Sequence, residues 1–327
     1  MTHPAGDGTA ARLFSELHDA LARNVEQAVR GKHDAVGLAL TCLFAGGHLL
    51  VEDVPGVGKT SLARALAESV DASWNRIQFT PDLLPSDITG TSVWDARTST
   101  FSFRPGAVFA HLVLGDEINR ASPKTQSALL EVMEEQQVTV DAVAHPVPTP
   151  FMVIATQNPV DLAGTYRLPE AQLDRFLVRL SLGYPDAASE TEVLLSRSTS
   201  GPPRLHPVAS VEDVRRGIAH TRTVHVADAV AAYVVQVAAA TRREPRLRLG
   251  MSTRASLALL RAAQARAAGQ GRTWVVPDDV KALVVPVVAH RLQLTAEAEV
   301  QGLDADQVLA ELVATVPAPA LAAPWGS

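Results

Sequence analysis

Apolar residues recur at two spacings along this chain of 327 residues, and each spacing predicts a different element. Between residues 11 and 30 they stand four apart, which is the period of one helix face. Further along, short apolar runs alternate with helical stretches, and these runs cover residues 48–52, 77–79, 111–114, 151–155 and 176–180. Short apolar strands separated by helices predict an α/β fold whose mostly parallel sheet is covered on both faces.

Two polar-tipped stretches interrupt this alternation, and each predicts a hairpin. Residues 92–103 turn back at residues 96–99, and residues 138–147 turn back around Asp141 and Ala142. Such hairpins are either surface additions or loops that face a pore or a client.

The pattern changes near residues 200–203, where Ser-Gly-Pro-Pro predicts a linker. Beyond it the pattern is almost entirely helical, with predicted helices beginning near Ser210, Asp228, Ser252 and Pro277. The last residues are rich in proline and alanine, which is typical of a disordered tail.

Composition narrows the possible functions. Hydrophobic residues make up 47% of the chain and charged residues 20%, which is ordinary for a globular protein. No apolar run approaches the ~18 residues that cross a bilayer, and we find no secretory signal, so a cytoplasmic location is expected. The single cysteine, Cys42, excludes an intrachain disulfide and a multi-cysteine metal site. A net charge of −6 argues against a globally basic nucleic-acid binder.

The strongest chemical signal is the segment from Asp53 to Thr60, which follows a predicted strand and opens a helix. Gly56 and Gly58 let backbone N–H groups close around phosphate oxygens, and the positive end of the helix faces the same anion. Lys59 would reach the β- and γ-phosphates, and the Thr60 hydroxyl would hold Mg²⁺. The predicted ATP-binding residues of this segment are Pro55, Gly56, Val57, Gly58, Lys59, Thr60 and Ser61.

One residue departs from the usual phosphate loop, because Asp53 stands where the first glycine is expected. Aspartate tolerates positive φ, so the turn can form. Its carboxylate would repel phosphate unless it points outward, which puts the affinity for nucleotide in question.

A second signal is the apolar run at residues 112–114, which leads through Gly115 to Asp116 and Glu117. Next to a phosphate loop, Asp116 is expected to support Mg²⁺ and Glu117 to polarise the attacking water. Asn158 follows the next apolar run, where its amide would lie beside the γ-phosphate and that water.

Together these residues resemble the AAA+ ATPases, and within them the MoxR family, over about residues 30–300. The matching stretches include residues 54–60, 78–87, 103–106, 116–121, 155–159 and 168–176. The resemblance implies an αβα ATPase domain with a phosphate loop, followed by an all-α helical lid. The implied organisation is a helical segment at 1–30, an ATPase core at 31–200 with a helix-2 insert at 88–105 and a pre-sensor-1 hairpin at 137–150, a lid at 201–315 and a disordered tail at 316–327.

Further site residues rest on the resemblance, which also implies hexameric rings with ATP between subunits. Arg175 resembles an arginine finger for the neighbour's γ-phosphate, and Arg254 resembles a sensor-2 residue that reaches the phosphates of its own subunit. The simpler alternatives are an ion pair between Asp174 and Arg175 and a solvated Arg254. Weaker expectations are intersubunit contacts by Arg120 and Arg179 and an adenine contact by residues 29–31.

Three functions are compatible with these residues. The resemblance favours an ATP-driven, chaperone-like machine that remodels or matures a protein client, including by cofactor or metal insertion, with a von Willebrand factor A-domain partner. A nucleic-acid motor is the second hypothesis, and the scarcity of basic side chains in the hairpins, Arg97 and His145, counts against it. A nucleotide-gated scaffold with little turnover is the third, supported only by Asp53.

Overall fold

The computed structural model describes residues 6–53, 56–158, 166, 168–184, 187, 191 and 205–319. Strands are numbered along the chain, and the central sheet contains β1 (Leu49–Glu52), β2 (Trp74–Gln78), β5 (Leu112–Asp116), β8 (Met152–Gln157) and β9 (Val178–Leu180). They lie in the order β2, β5, β8, β1, β9, and every pair is parallel. All five strands therefore end at one edge, where the polar residues that follow them meet.

Side chains of the sheet alternate between two cores, one on each face. In β1, Leu49 and Val51 belong to one core, and Leu50 belongs to the other. In β5, Leu114 and Val113 divide in the same way. This is the period-two alternation of a strand, and burial on both faces explains why these strands are continuous apolar runs.

Helices cover both faces of the sheet. On one side lie α1 (Gly6–Glu26), α2 (His33–Phe44) and α3 (Lys59–Ser69). On the other lie α4 (Pro85–Thr89) and α5 (Pro123–Glu135). A 3-10 turn (Ile118–Arg120) follows β5, and α6 (Glu170–Leu173) precedes β9.

Both predicted hairpins are present. The first is formed by β3 (Gly90–Asp95) and β4 (Thr100–Pro105), and the second by β6 (Gln137–Val140) and β7 (Val143–Pro146). The Phe103 ring stacks on His145 with the ring centroids 3.8 Å apart, so the two hairpins pack against each other.

The C-terminal part of the described chain is mainly helical. Its helices are α7 (Val211–Thr221), α8 (Asp228–Arg243), α9 (Thr253–Gly269), α10 (Pro277–Val288), α11 (Ala296–Val300) and α12 (Ala305–Thr315), with a 3-10 turn at Ala289–Arg291. The Asp213 N–H donates to Ser210 Oγ at 3.1 Å and the Ser210 N–H to Asp213 Oδ2 at 2.9 Å, which completes the expected capping box.

Some element boundaries differ from the sequence pattern. The N-terminal helix ends at Glu26 although Val29, which continues its apolar face, is buried. The lid also contains a small antiparallel pair, β10 (Leu247–Leu249) and β11 (Gln293–Leu294), whose strands are too short to show a periodicity. The expected linker at 200–203 and residues 320–327 of the tail lie outside the described residues. No helix of the described ranges is long and apolar enough to cross a membrane.

Candidate nucleotide site

The phosphate loop joins β1 to α3, and two glycines shape it. Gly56 has φ of 87° and Gly58 has φ of 105°, the left-handed region that side chains other than glycine rarely adopt. A Cβ at either position would meet no atom within 4 Å, so conformation, and not space, requires glycine here. Helix α3 begins at Lys59, with Thr60 and Ser61 in its first turn, and its first N–H groups face the loop. Pro55 lies outside the described residues.

Asp53 turns its carboxylate toward the end of β9. Its Oδ2 accepts hydrogen bonds from Ser181 Oγ at 2.9 Å and from the Gly183 N–H at 2.6 Å. It is also not among the described residues with positive φ, so the aspartate does not replace glycine by adopting a left-handed turn. These hydrogen bonds compensate the cost of burying the charge, and they hold the start of the phosphate loop against the residues that follow β9. The sequence argument for a scaffold without turnover therefore loses its support.

Lys59 is buried, and its Nζ donates to the Asp53 carbonyl at 2.7 Å. Burial lowers the pKa of this lysine, while the charges of Asp116, Asp53 and Glu117 act in the opposite direction. The ammonium group thus lies within the field of the acids that the sequence placed at this site.

Asp116 is the last residue of β5, and both of its carboxylate oxygens accept hydrogen bonds. Thr156 Oγ1 donates to Oδ1 at 2.6 Å, and Arg76 Nη2 donates to Oδ2 at 2.6 Å. Thr156 lies in β8 and Arg76 in β2, the strands on either side of β5. Neighbouring strands therefore hold this carboxylate at the edge of the sheet.

Glu117 is the first residue beyond β5, and its φ is 58°. Its N–H donates to Thr156 Oγ1 at 2.9 Å, so one threonine hydroxyl fixes both acids. The carboxylate Oε2 accepts from Gln78 Nε2 at 3.0 Å and from Arg120 Nη1 at 2.9 Å. A strained backbone held by several bonds is typical of a functional residue.

Asn158 is buried one residue beyond the end of β8. Asn119 Nδ2 donates to its carbonyl at 3.4 Å, which connects the turn after β5 to the turn after β8. Lys59, the two acids and Asn158 therefore lie at one edge of the sheet, and their roles toward a nucleotide stay predictions.

Comparisons with known proteins agree with this arrangement. Residues 48–178 match the family model "ATPase family associated with various cellular activities (AAA)", and residues 239–312 match an AAA lid domain. The chain is 39% identical to Chaperone MoxR1 of Mycobacterium tuberculosis over 97% of its own length and 87% of that protein's. It is 48% identical to the uncharacterized protein YeaC of Bacillus subtilis, over 93% and 96%. The chain belongs to the MoxR family of AAA+ ATPases.

A solved structure supports the same fold for this MoxR-family ATPase. A candidate ATPase from Cytophaga hutchinsonii superposes with a TM-score of 0.89 at 35% identity, covering 95% of this chain and 98% of that one. The expected AAA+ fold, a parallel-sheet ATPase domain with a helical lid, is confirmed, and so is the assignment as an enzyme that hydrolyses ATP.

A second cluster of charges in the MoxR-family ATPase surrounds the last turn of α5. Arg175 Nε donates to Glu134 Oε2 at 2.9 Å, and Arg254 Nη1 donates to Glu134 Oε1 at 3.3 Å. Arg254 Nε also lies 3.3 Å from Asp174 Oδ2. The hydrogen bond from Arg175 is the main cause of the lowered pKa of Glu134.

This cluster differs from both simple alternatives considered for the two arginines. Within the described ranges, Arg175 pairs with Glu134 and not with Asp174, and Arg254 is ion-paired rather than only solvated. The described partners of Arg254 are not residues of the phosphate loop. Two carboxylates hold its guanidinium beside Arg175, whereas the family resemblance implies a place at the phosphates of its own subunit, which stays a prediction.

The weaker candidates also have partners in the structure. Arg120 pairs with Glu117 at 2.9 Å. Arg179 pairs with Glu52 at 3.1 Å and with Asp306 of α12, whose pKa is raised by burial. In the expected adenine segment, Val29 is buried and Gly31 has φ of 68°.

Sequence reasoning missed the residues that support the site. Gln78 and Thr156 fall at strand ends beside the recognised acids, and this position alone could have drawn attention to them. Glu134 gave no such signal, since it is one of several acids on an amphipathic helix.

The residues present suit Mg²⁺ bound together with phosphates. Mg²⁺ takes one or two protein oxygens plus phosphate oxygens and water. Asp116 supplies a buried carboxylate with lone pairs left beyond its two hydrogen bonds, and Thr60 supplies a hydroxyl. The open space beside Gly56 and Gly58 leaves room for the phosphates. Among the described residues no group of three or more acids, histidines or cysteines could hold a metal without them.

Proposed function

We propose that this MoxR-family ATPase is an oligomer, with six subunits on the family resemblance, that uses ATP to remodel or mature a protein client in a chaperone-like manner. The observation that supports assembly is the pairing of Arg175 and Arg254 on one carboxylate, Glu134. Two guanidiniums held together form a site for the phosphates of a neighbouring subunit, where an arginine finger stabilises the transition state. In this arrangement Arg254 acts on the same nucleotide as Arg175.

The roles proposed for the nucleotide site come from its sequence motifs, and the described contacts are compatible with them. Residues 55–61, of which Pro55 is taken from the sequence motif alone, would surround the phosphates, and Lys59 lies among the acids. Thr60 with Asp116 would hold Mg²⁺, which would neutralise phosphate charge. Glu117 orients and polarises the attacking water as the general base. Asn158 lies at the end of the adjacent strand, where its amide contacts the γ-phosphate and that water.

The hairpin β3–β4 is the proposed contact for the client. Trp94 and Phe101 are 51% and 69% exposed, and their rings pack edge to face with centroids 5.0 Å apart. Exposed aromatic pairs of this kind favour contact with apolar polypeptide. The von Willebrand factor A-domain partner, a role in cofactor or metal insertion and a cytoplasmic location rest on the family resemblance. One relative carries the name Chaperone MoxR1, which is consistent with this proposal.

The first test is capture with Glu117→Gln, which should bind ATP but not hydrolyse it. Tagged protein is incubated with native lysate in ATP or ADP, and bound protein and nucleic acid are both identified. A von Willebrand factor A-domain protein that is retained only with ATP would support the proposal. Glu131→Gln, an exposed acid on α5, is the matched control and should release its partners as ATP is consumed.

A nucleic-acid motor is a second candidate, and the same hairpin favours it. Exposed aromatic rings stack on bases, and Arg97 lies in the turn between β3 and β4. The net charge of −6 argues against it. Nucleic acid retained only with ATP, without a protein partner, would replace the first proposal with this one.

A further inference from the structure

Two lid residues bind the backbone of the segment that carries Arg175. Arg291 Nη2 donates to the Phe176 carbonyl at 2.8 Å and to the Asp174 carbonyl at 3.3 Å. His290 Nε2 donates to the same Phe176 carbonyl at 3.0 Å. The lid therefore contacts the residues immediately before and after Arg175.

The Asp174 carboxylate adds a second link between the lid and this segment. Its Oδ1 lies 3.1 Å from Arg291 Nε, and its Oδ2 lies 3.3 Å from Arg254 Nε. One acid thus joins two separate parts of the lid, since Arg254 lies in the first turn of α9 and Arg291 follows α10. A change in lid position changes the place of this carboxylate.

Burial distinguishes this contact from an ordinary surface ion pair. Arg291 is 8% exposed, and burial lowers its pKa to about 10, so the guanidinium stays charged near neutral pH. A buried charge is tolerated only with good partners, whereas an exposed pair contributes little. Phe176 itself is fully buried in the core beneath the sheet. The segment is held from both sides, by its own ring and by the lid.

We propose that Arg291 is a positioning residue for Arg175, through which the lid sets the place of the arginine finger. The inference rests on the proposed role of Arg175 at the neighbour's nucleotide. The Arg175 N–H bonds to the Gln172 carbonyl at 3.2 Å and its side chain to Glu134, so neither contact ties it to the lid directly. Arg291 supplies the buried connection, beside the more exposed pairs of Arg254 with Glu134 and Asp174, and a change in lid position thereby alters hydrolysis in the next subunit.

The kinetic test compares Arg291→Gln with Arg291→Lys. Arg291→Gln should lower kcat by up to about 10²-fold, the cost of a small misplacement of a catalytic group, and leave ATP affinity within about twofold. Arg291→Lys retains the charge and should recover part of kcat. Arg246→Gln is the matched control and should leave kcat unchanged, because among the described residues the ion pairs of Arg246 are with Glu244 and Glu311 of the lid. Unfolding in urea verifies that each variant is folded, and Arg291→Lys takes the place of Arg291→Gln if the latter is not.

Mixed assemblies separate positioning from a merely structural effect. Subunits with Lys59→Ala lack a working nucleotide site but keep the arginine finger. Subunits with Arg175→Ala keep the nucleotide site but lack the finger. If Arg291 positions the finger, Arg291→Gln regains turnover when co-assembled with Lys59→Ala and not with Arg175→Ala. The opposite pattern, regain with Arg175→Ala only, places the defect in the subunit's own site and overturns the inference.

The same experiment shows separately whether the underlying function is wrong. Arg175→Ala co-assembled with Lys59→Ala should regain turnover if the finger acts on a neighbour. If this pair stays inactive while each variant assembles, the role of Arg175 in trans is wrong, and the inference about Arg291 fails with it. If the pair recovers and Arg291→Gln follows neither pattern, only the inference about Arg291 is overturned.

Discussion

At Asp53, the surroundings of one side chain decide its effect on a nucleotide. By residue type alone, a carboxylate in a phosphate loop predicts repulsion. Hydrogen bonds from Ser181 and Gly183 hold this carboxylate at the end of β9 instead. The aspartate therefore joins the loop to a neighbouring strand.

Asp53→Asn should accordingly affect stability more than affinity. Losing hydrogen bonds to a buried charge should lower the free energy of unfolding by about 1–3 kcal/mol, measured in urea. Asp82→Asn, an exposed change, should have no effect. If Asp53→Asn instead tightened ATP binding by about 1.4 kcal/mol, a factor of ten, repulsion would be the better explanation.

Glu117→Gln should lower kcat by about 10²–10⁴-fold, the usual contribution of a general base, while ATP still binds. The amide can keep the hydrogen bond pattern around Gln78 but cannot take a proton. Phosphate release and equilibrium ATP binding are the two measurements. Equal losses of binding and turnover would contradict the assigned role.

At the scale of elements, His48 joins three of them at the start of β1. Its Nδ1 accepts from the Val153 N–H of β8 at 3.0 Å, so its Nε2 carries the proton and donates to the Met133 carbonyl of α5 at 3.1 Å. Met133 precedes Glu134, and the histidine thereby fixes the end of the helix that holds the two arginines. Burial lowers the pKa of His48 to about 4.

Stability should fall as the pH drops below the ordinary histidine pKa. Between about pH 6.5 and 4 the unfolded chain binds a proton at His48 that the folded chain does not. The part of the free energy of unfolding that comes from this shift is therefore fully present above this window and is lost as the pH falls through it. His48→Gln should reduce the slope of unfolding free energy against pH by up to about 1.4 kcal/mol per unit.

Burial also lowers the pKa of His290, to about 3. The His48→Gln variant should therefore keep the part of the pH dependence of the unfolding free energy that comes from His290. His206→Gln, an exposed change, is the control and should leave the slope as it is. Unfolding in urea at several pH values gives each slope, and an unchanged slope in His48→Gln would count against this account.

The exposed rings of the β3–β4 hairpin give a second prediction at this scale. Replacing Trp94 and Phe101 by alanine should change the free energy of unfolding by about 1 kcal/mol or less, since the pair is exposed. Stimulation of ATPase turnover by a permanently unfolded polypeptide, reduced and carboxymethylated α-lactalbumin, should be lost. Val143→Ala on the other hairpin is the control. Full stimulation of the double variant would remove this hairpin from the client contact.

For the whole molecule, the proposed assembly divides the catalytic site between two chains. Lys59, Asp116 and Glu117 lie at one edge of the sheet, and Arg175 with Arg254 lies at the end of α5. A nucleotide shared between subunits would use one cluster from each.

Turnover per subunit should therefore rise with protein concentration until assembly is complete. Arg175→Ala should remove this rise, with a loss of about 10³–10⁵-fold at full assembly as in other arginine-finger enzymes. Phosphate release over a dilution series, with oligomer size measured in parallel, tests both statements. Constant turnover per subunit across dissociation would contradict a finger supplied in trans.

Much of the nucleotide site could be predicted because its signals are local. Gly56, Gly58 and Lys59 are adjacent in sequence, and Asp116, Glu117 and Asn158 each follow an apolar strand. In a parallel sheet such positions must meet at one edge, so order along the chain predicts proximity. The two hairpins and four lid helices could be predicted as well, because periodicity and helix capping also depend on residues close together in the chain.

The sequence by itself determined the phosphate loop, the strands and the family, because each depends on residues close together in the chain. Only the tertiary structure decided which way Asp53 points, which acid holds Arg175 and Arg254, and how Arg291 reaches the finger segment. These contacts join residues more than 40 positions apart, 41 for Arg175 with Glu134 and 120 for Arg254 with Glu134. A side chain's orientation is set by the charges and hydrogen-bond partners that packing brings to it, and no local pattern records them.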